Sequence, residues 1–308
     1  MRKYIPIYLL TILTLFPGIL LSRYRQTSPG EYMPQNETKG EYYRWVNVLH
    51  ENTIRKLELE EYVTGVLLGE MPTSFHIEAL KAQAVAIRTY TLQKMSVGTK
   101  HDLADVCTES ACCQAYIPLS TENSVTTQQS RAQQAVRETN GQVLTYKGEL
   151  IEATYFSASG GKTEAAKDVW GKNRAYLQSK VSAGENENPY HENQISISMD
   201  DFINKLELDK GQPIKISDIH YTHGGGVSTL RIANQEFTGI EIRKRLSLNS
   251  TAFSIAITDG QVRITTKGKG HRVGMSQYGA EAMAQEGKTY DEILSYYYSG
   301  AKLIDWRL

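Results

Sequence analysis

Tyr62-Val63-Thr64-Gly65-Val66-Leu67-Leu68-Gly69-Glu70-Met71-Pro72, followed closely by Glu78-Ala79-Leu80-Lys81-Ala82-Gln83-Ala84-Val85-Ala86-Ile87-Arg88-Thr89-Tyr90, sets the architecture of this 308-residue chain. Val63, Val66 and Leu67 recur at helical spacing, which predicts a short helix over 60–70; Pro72 stops it, because proline lacks the donor that another turn needs. Ser74 suits the N-cap of a longer second helix from Phe75 to Met95, in which Ile77, Leu80, Ala84 and Ile87 make one apolar stripe and after which Gly98 marks the end. Lys81 and Arg88, seven residues apart, share a face beside that stripe. Glu70 sits at a helix end between apolar neighbours, a setting that raises a carboxyl pKa. Local position alone leaves a plainer alternative open: Glu70 as a surface carboxylate, with Lys81 and Arg88 as a solvated face packing its aliphatic stems.

Just upstream, Ile54 to Leu59 alternates apolar and polar side chains, the period of a half-buried strand. At the N-terminus Arg2 and Lys3 precede an uncharged run of 18 residues, Tyr4 to Leu21, just long enough to span a bilayer. Leu20, Leu21, Ser22 and Arg23 lack the small-residue pattern of a cleavage site, so an uncleaved membrane anchor is expected, with a cleaved signal as the alternative. In either case the bulk of the chain is expected outside the cytoplasm. The predicted organisation is an anchor over 1–23, a polar tether and lead-in over 24–50 marked by Ser28, Pro29, Gly30, Pro34, Asn36 and Gly40, and one folded domain over 51–308.

Lys plus Arg number 34, as do Asp plus Glu, and the balanced charge without a basic stripe argues against nucleic acid as a partner. With 40% hydrophobic residues the chain can bury a substantial core. His101, Cys107, Cys112 and Cys113 fall within 13 residues and include all three cysteines. Three thiolates and an imidazole satisfy a closed tetrahedral Zn2+ site of structural kind; a disulfide from Cys107 to Cys112 or Cys113 with one free thiol is the alternative in an oxidising compartment.

Downstream, Gln142 to Tyr146 and Glu149 to Phe156 read as strands joined at Lys147-Gly148, and Gly160-Gly161 as a loop that admits a close backbone approach. His223-Gly224-Gly225-Gly226 reads as a plain turn between strands, Ser276 as the N-cap of a helix running to Gly287, and Tyr296-Tyr297-Tyr298 as packing of the C-terminal helix. The predicted fold class is α+β: one N-terminal transmembrane helix, then a mixed helix/strand ectodomain. Helices come first, strands dominate from Gln142 to Thr266 with short helices near Met199 to Leu206 and Ile240 to Leu246, and a helical pair closes the chain.

The two opening stretches resemble the stage II sporulation protein D family, and the likeness continues through Ser157-Ala158-Ser159-Gly160-Gly161-Lys162-Thr163, Trp170, Phe237 to Leu248 and Gly270-His271-Arg272-Val273-Gly274-Met275-Ser276-Gln277-Tyr278-Gly279-Ala280. That resemblance implies a single-pass lytic transglycosylase of the mother-cell membrane that cuts peptidoglycan during engulfment, with residues 51–308 as its catalytic domain facing the forespore and an elongated groove for the polymer in a fold unlike lysozyme. It assigns catalysis to Glu70, with Lys81 and Arg88 as further functional residues, and glycan binding to Ser157, Ser159, Gly160, Gly161, His271 and Gln277. It implies structural zinc on His101, Cys107, Cys112 and Cys113, although Cys112 stands where the family pattern expects a histidine. The implied partners are glycan strands without stem peptides, stage II sporulation protein P (an amidase and endopeptidase) and stage II sporulation protein M.

The implied chemistry needs one acid. A glycosidase ordinarily uses two carboxylates, whereas a muramic acid that attacks its own anomeric carbon through its 6-hydroxyl exploits proximity and yields a 1,6-anhydro end. Lys81 and Arg88, if close to Glu70, would lower its pKa and oppose its role as a neutral acid. A non-catalytic peptidoglycan-binding scaffold is the alternative function; a zinc hydrolase would require an open metal position.

Overall fold

The computed structural model describes residues 45–98, 100–120, 126–185 and 188–306. Strands β1 (Trp45–His50) and β2 (Thr53–Glu58) form an antiparallel hairpin, with Glu51 and Asn52 both at positive φ in its two-residue turn. The short strand β3 (Val106–Cys107) adds in parallel to β1. Helix α1 (Leu59–Glu70) leads directly out of β2.

Helix α2 (Ile77–Val97) is the axle of the main lobe, touching α1, α3 (Thr127–Glu138), strand β4 (Gln142–Tyr146), α7 (Gln277–Gln285) and α8 (Tyr290–Tyr297). Its expected stripe is part of a wider burial: Ala79, Leu80, Ala82, Ala84, Val85, Ala86 and Ile87 are all inaccessible, as small residues on a helix enclosed on nearly every side must be. The expected Ser74 cap is replaced by His76, whose Nδ1 accepts from the Glu78 backbone at 3.3 Å, and the helix starts two residues later than the sequence suggests. At the other end of the chain, Ser276 caps α7 as expected, its Oγ accepting from the Gly279 N–H at 3.2 Å.

Strand β4 turns at Lys147-Gly148 into β5 (Glu149–Leu150), and β14 (Lys302–Asp305) pairs on its other side. Strand β6 (Tyr155–Phe156) pairs in parallel with β13 (Met275–Ser276), and α4 (Ala166–Trp170) follows the glycine loop. The main-lobe core runs from Val46 through Leu177 and resumes at Val273, with Ile293, Leu294, Tyr297 and Tyr298 closing it.

Between those segments lies a second lobe with its own core. Strands β7 (Asn193–Ser198), β11 (Phe253–Thr258) and β12 (Gln261–Thr266) form one antiparallel sheet, and β8 (Ile216–Tyr221), β9 (Val227–Ile232) and β10 (Gln235–Thr238) a second. Helices α5 (Met199–Leu206) and α6 (Gly239–Arg245) cover them, burying Phe202, Leu206, Ile242 and Leu246 against Leu230, Ile232 and Ile264. Thr238 and Glu241 complete a reciprocal capping box at the start of α6. The span expected to be one catalytic domain thus holds two hydrophobic centres.

The lobes meet around a buried ion pair, Arg272 Nη1 to Glu164 Oε1 at 3.2 Å. Glu164 also accepts from Thr222 Oγ1 at 2.8 Å and the Gly226 N–H at 3.0 Å, while Arg272 Nη2 donates to the Gly224 carbonyl at 2.7 Å. The His223-Gly224-Gly225-Gly226 turn is therefore a docking loop: a Cβ on Gly224 or Gly226 would overlap the Glu164 carboxylate. The three donors on Glu164 Oε1 offset part of the desolvation cost of its buried charge, while Oε2 has no hydrogen-bond partner among the described residues.

The expected transmembrane helix, and with it single-pass placement in the cell membrane, is corrected. No helix among the described residues is long and apolar enough to cross a membrane. The longest helix, α2, carries Glu78, Lys81, Arg88 and Lys94 and is spent on packing within the main lobe. The Tyr4–Leu21 run on which that expectation rested lies outside the described residues. What the described residues form is a mixed α/β arrangement of small, chiefly antiparallel sheets and interleaved helices.

Candidate active site

Glu70, the last residue of α1, lines a cleft of ≈ 610 Å³ in the main lobe, together with Gln114, Glu152, Tyr155, Trp170 and His271. Pro72 and the helix end fix its backbone, and Oε1 accepts the Ala115 N–H at 2.6 Å. Burial raises the Glu70 pKa above the ordinary carboxyl value, and the Ala115 hydrogen bond offsets part of that rise. Neither Lys81 nor Arg88 contributes.

Both expected partners of Glu70 are engaged elsewhere. Arg88 is buried and grips Glu60 with two donors, Nε to Oε1 at 2.8 Å and Nη2 to Oε2 at 2.6 Å, while Nη1 donates to the Gln142 carbonyl at 3.0 Å. It ties α1, α2 and β4 together. Lys81 donates to Glu78 at 2.6 Å and lies 4.6 Å over the Tyr290 ring; burial works against its charge, but Glu78 outweighs it and raises the pKa. The feared depression of the Glu70 pKa by two cations does not arise, because Glu60 and Glu78 hold those cations.

His271 forms part of the opposite wall, between Phe156 and Trp170 with ring centroids 5.8 and 5.2 Å away. Its Nδ1 accepts from the Val273 N–H at 3.1 Å, so the ring hydrogen of the neutral imidazole is on Nε2. Burial, reinforced by Arg243 and only partly offset by a hydrogen bond to the Tyr155 main chain, pulls its pKa down to about 4, so the ring is neutral at ordinary pH. Among the other residues assigned to glycan by resemblance, Ser159 is buried and bonds Glu185 through both N–H and Oγ, at 2.7 and 2.8 Å. Gly160, at φ +69°, lies against Lys267 and Gly268, where a Cβ would come within 2.8 Å of the Gly268 nitrogen. Ser157 accepts the Tyr278 N–H through its carbonyl at 3.1 Å, Gly161 donates to Ser159 Oγ at 2.9 Å, and Gln277 is buried at the start of α7. That loop shapes the junction with the second lobe, and only His271 of the set lines the cleft.

Four lining residues carry no local signal in the sequence. Glu152 is a second carboxylate of the cleft, paired to Lys94 at 3.3 Å and Arg174 at 3.7 Å. Tyr155 donates its hydroxyl to Gln114 Oε1 at 2.9 Å; Gln114 in turn donates to Thr91 Oγ1 at 3.1 Å and Tyr62 Oη at 3.3 Å. Trp170 gives the rim an aromatic face, 36% exposed, of the kind that stacks on sugar rings. All four come from segments distant from Glu70 in the chain.

The donor atoms of His101, Cys107, Cys112 and Cys113 lie within 4.8 Å of one another. Cys112 Sγ is 3.8 Å from Cys113 Sγ, and the two sulfurs are 3.6 and 3.5 Å from His101 Nε2. Tetrahedral Zn2+, with about 2.3 Å to sulfur and about 2.0–2.1 Å to nitrogen, separates such donors by about 3.8 and about 3.6 Å. The donor set fits a closed site with no position for water, and all three cysteines are free of disulfides. Cys112 and Cys113 also border the cleft.

A profile of the SpoIID family, described as a stage II sporulation protein, matches residues 49–146. The chain is 37% identical over 274 residues to Stage II sporulation protein D of Bacillus subtilis (strain 168), an alignment covering 85% of this chain and 77% of that protein. It is 35% identical over 260 residues to Stage II sporulation protein D of Bacillus amyloliquefaciens, covering 82% and 76%. A more distant similarity, 27% over 297 residues, links it to the Amidase enhancer of Bacillus subtilis (strain 168), of which 40% is covered.

Proposed function

The chain belongs to the stage II sporulation protein D family of sporulation proteins, and from that premise we propose that it is a lytic transglycosylase acting on peptidoglycan glycan strands. The observation that carries this proposal is the position of Glu70: a desolvated carboxyl with a raised pKa, facing a cleft large enough for sugar rings. Glu70 donates its proton to the leaving 4-oxygen of N-acetylglucosamine as the bond from that oxygen to the muramic anomeric carbon breaks. The 6-oxygen of the same muramic acid then bonds to that carbon, and its proton returns to the Glu70 carboxylate, so the enzyme ends as it began. The neutral His271 ring and the Trp170 face supply uncharged surfaces suited to acetamido and ring groups, in keeping with strands that lack stem peptides.

Arg88 serves in this scheme by tying α1 to α2 through Glu60, which steadies the helix that carries Glu70, while Lys81 braces α2 against Glu138 of α3 and the Tyr290 ring of α8. His101, Cys107, Cys112 and Cys113 would hold structural Zn2+, which would brace the segment beside Glu70 and leave the reaction to the carboxyl. Stage II sporulation proteins P and M are the protein partners the family reading adds. Glu152 favours a second reading, hydrolysis, because a second carboxylate in the same cleft could activate water as an inverting glycosidase does.

Mass spectrometry of products from peptide-free glycan strands separates these. Products one water lighter than hydrolytic sugars, lost with Glu70→Gln and kept with Glu152→Gln, are expected. Ordinary reducing ends lost with Glu152→Gln would establish hydrolysis, and strands bound but left intact by the parent protein would establish a scaffold. The sign of the pH dependence follows from burial: with its pKa raised, Glu70 stays protonated above the ordinary carboxyl range, so the basic limb of the kcat profile lies above that range too.

A further inference from the structure

Helix α1 has two glycines four residues apart, Gly65 and Gly69, which stand on one face. Each costs helix stability relative to alanine, by about 1 kcal/mol. The same segment of chain explains both. A Cβ on Gly65 would overlap the Tyr116 ring and come within 2.8 Å of the Ile117 carbonyl; one on Gly69 would lie 2.9 Å from the Ala115 carbonyl carbon and the Tyr116 nitrogen. The segment is fastened in this groove: Ile117 N–H donates to the Gly65 carbonyl at 3.0 Å, and the Tyr116 ring stacks on Tyr62 with centroids 5.6 Å apart. On its other side Gln114 bonds Thr91 and Tyr155. Held between these anchors, the Ala115 N–H points at Glu70 Oε1 from 2.6 Å.

We propose that Ala115 is a positioning residue for Glu70, acting through its main-chain N–H, and that the Gly65/Gly69 groove serves to bring that N–H within reach. This rests on Glu70 being the acid of the proposed reaction. A donor on Oε1 makes that atom the carbonyl oxygen of the neutral acid, so the proton sits on Oε2. When Glu70 gives up the proton, the carboxylate that forms is already facing a hydrogen bond that strengthens with charge. The donor needs no rearrangement, and it favours the charged product of proton transfer over the neutral starting acid. A side-chain donor could swing away, whereas a main-chain N–H wedged against a helix cannot.

The test removes one hydrogen. Ala115→Pro in the full chain eliminates the N–H; kcat on peptide-free glycan strands is expected to fall roughly 10- to 100-fold with KM within about two-fold, and the basic limb of the kcat profile to move to higher pH. Ala115→Gly, which keeps the N–H, is expected to hold the limb where the parent protein has it. Should Ala115→Pro fail to fold, Gly69→Ala displaces the same N–H through the Cβ contact and must give the same pair of changes at smaller size. A loss of kcat without movement of the limb in both variants would overturn the proposal, since mere loss of folded protein scales rate without shifting its pH dependence. Carbon-13 NMR titration of the Glu70 carboxyl in parent and Ala115→Pro proteins reads the same shift independently of turnover. If Glu70→Gln still cleaves glycan, the transglycosylase assignment fails, while the titration alone decides whether Ala115 sets the carboxyl.

Discussion

In the inserted lobe every core residue lies between Phe202 and Ile264, whereas the main-lobe core draws on residues from Val46 to Tyr298. The inserted lobe buries side chains from neighbouring strands and the two helices between them, a local problem solved by alternation and capping. The main lobe buries Arg88, Gln83, Gln114, Ser159, Glu164 and Glu185 along with its apolar residues, and brings the ends of several distant segments to one cleft. The cleft, Glu70 and the donor cluster belong to the lobe with the long-range contacts. Placing a carboxyl, an imidazole and an aromatic wall within one cavity requires segments that cross, and crossing segments bury polar groups that must find partners inside, as Arg88, Gln114 and Ser159 do and the Gln83 amide, among the described residues, does not.

Substitutions can break this contrast. Glu70→Gln in the main lobe is expected to reduce strand cleavage by about 10²- to 10⁴-fold with the thermal midpoint nearly unchanged, measured by product release and calorimetry. Arg272→Met strikes the junction: it strands the Glu164 carboxylate, 0% exposed, without its guanidinium and is expected to cost about 3–5 kcal/mol in denaturant titration. Because Arg272 adjoins His271, cleavage should fall as well. Leu206→Ala in the inserted core is expected to cost about 2–4 kcal/mol while kcat/KM of the folded protein stays within about two-fold. Equal losses of kcat/KM from Leu206→Ala and Arg272→Met would show the lobes to be one functional unit. Arg231→Ala removes exposed pairs with Asp218 and Glu236 and should change stability by less than about 0.5 kcal/mol.

The His271 imidazole sharpens the comparison by pH. Burial, with help from Arg243, lowers its folded pKa to about 4, against about 6.5 when unfolded. Between those values the unfolded chain carries the extra proton, so this residue's contribution to stability is complete above about pH 6.5 and is lost as pH falls toward about 4. Nitrogen-15 NMR of the ring should find it neutral, with its hydrogen on Nε2, down to that range. A His271 that titrates near 6.5 would mean an open, hydrated wall and would remove the uncharged ring from the proposed site.

Much of this was legible because its causes are local. The α1 boundary follows from Pro72, the α7 start from Ser276, and the donor cluster from candidate ligands crowded into one short stretch. Lys81 and Arg88 show where such reasoning stops. Their spacing fixes a shared helical face, but the partner that claims each cation is Glu78, one turn away, or Glu60, on another helix. The Ser159-Gly160-Gly161 loop likewise shows its backbone freedom in the sequence, while its burial against Lys267 and Gly268 depends on how the inserted lobe returns.

By itself, then, the sequence determined where α1 stops and α7 starts, the grouping of four donors, the family and a carboxyl worth following, since each depends on side chains within a few turns of one another or on a long matched pattern. Only the tertiary structure decided that Glu70 faces a cleft with Glu152, Tyr155 and His271, that Arg88 and Lys81 are held by other carboxylates, and that a glycine groove delivers the Ala115 N–H. Those depend on which distant groups meet, and burial and hydrogen bonding act on the groups that meet, whatever their separation along the chain.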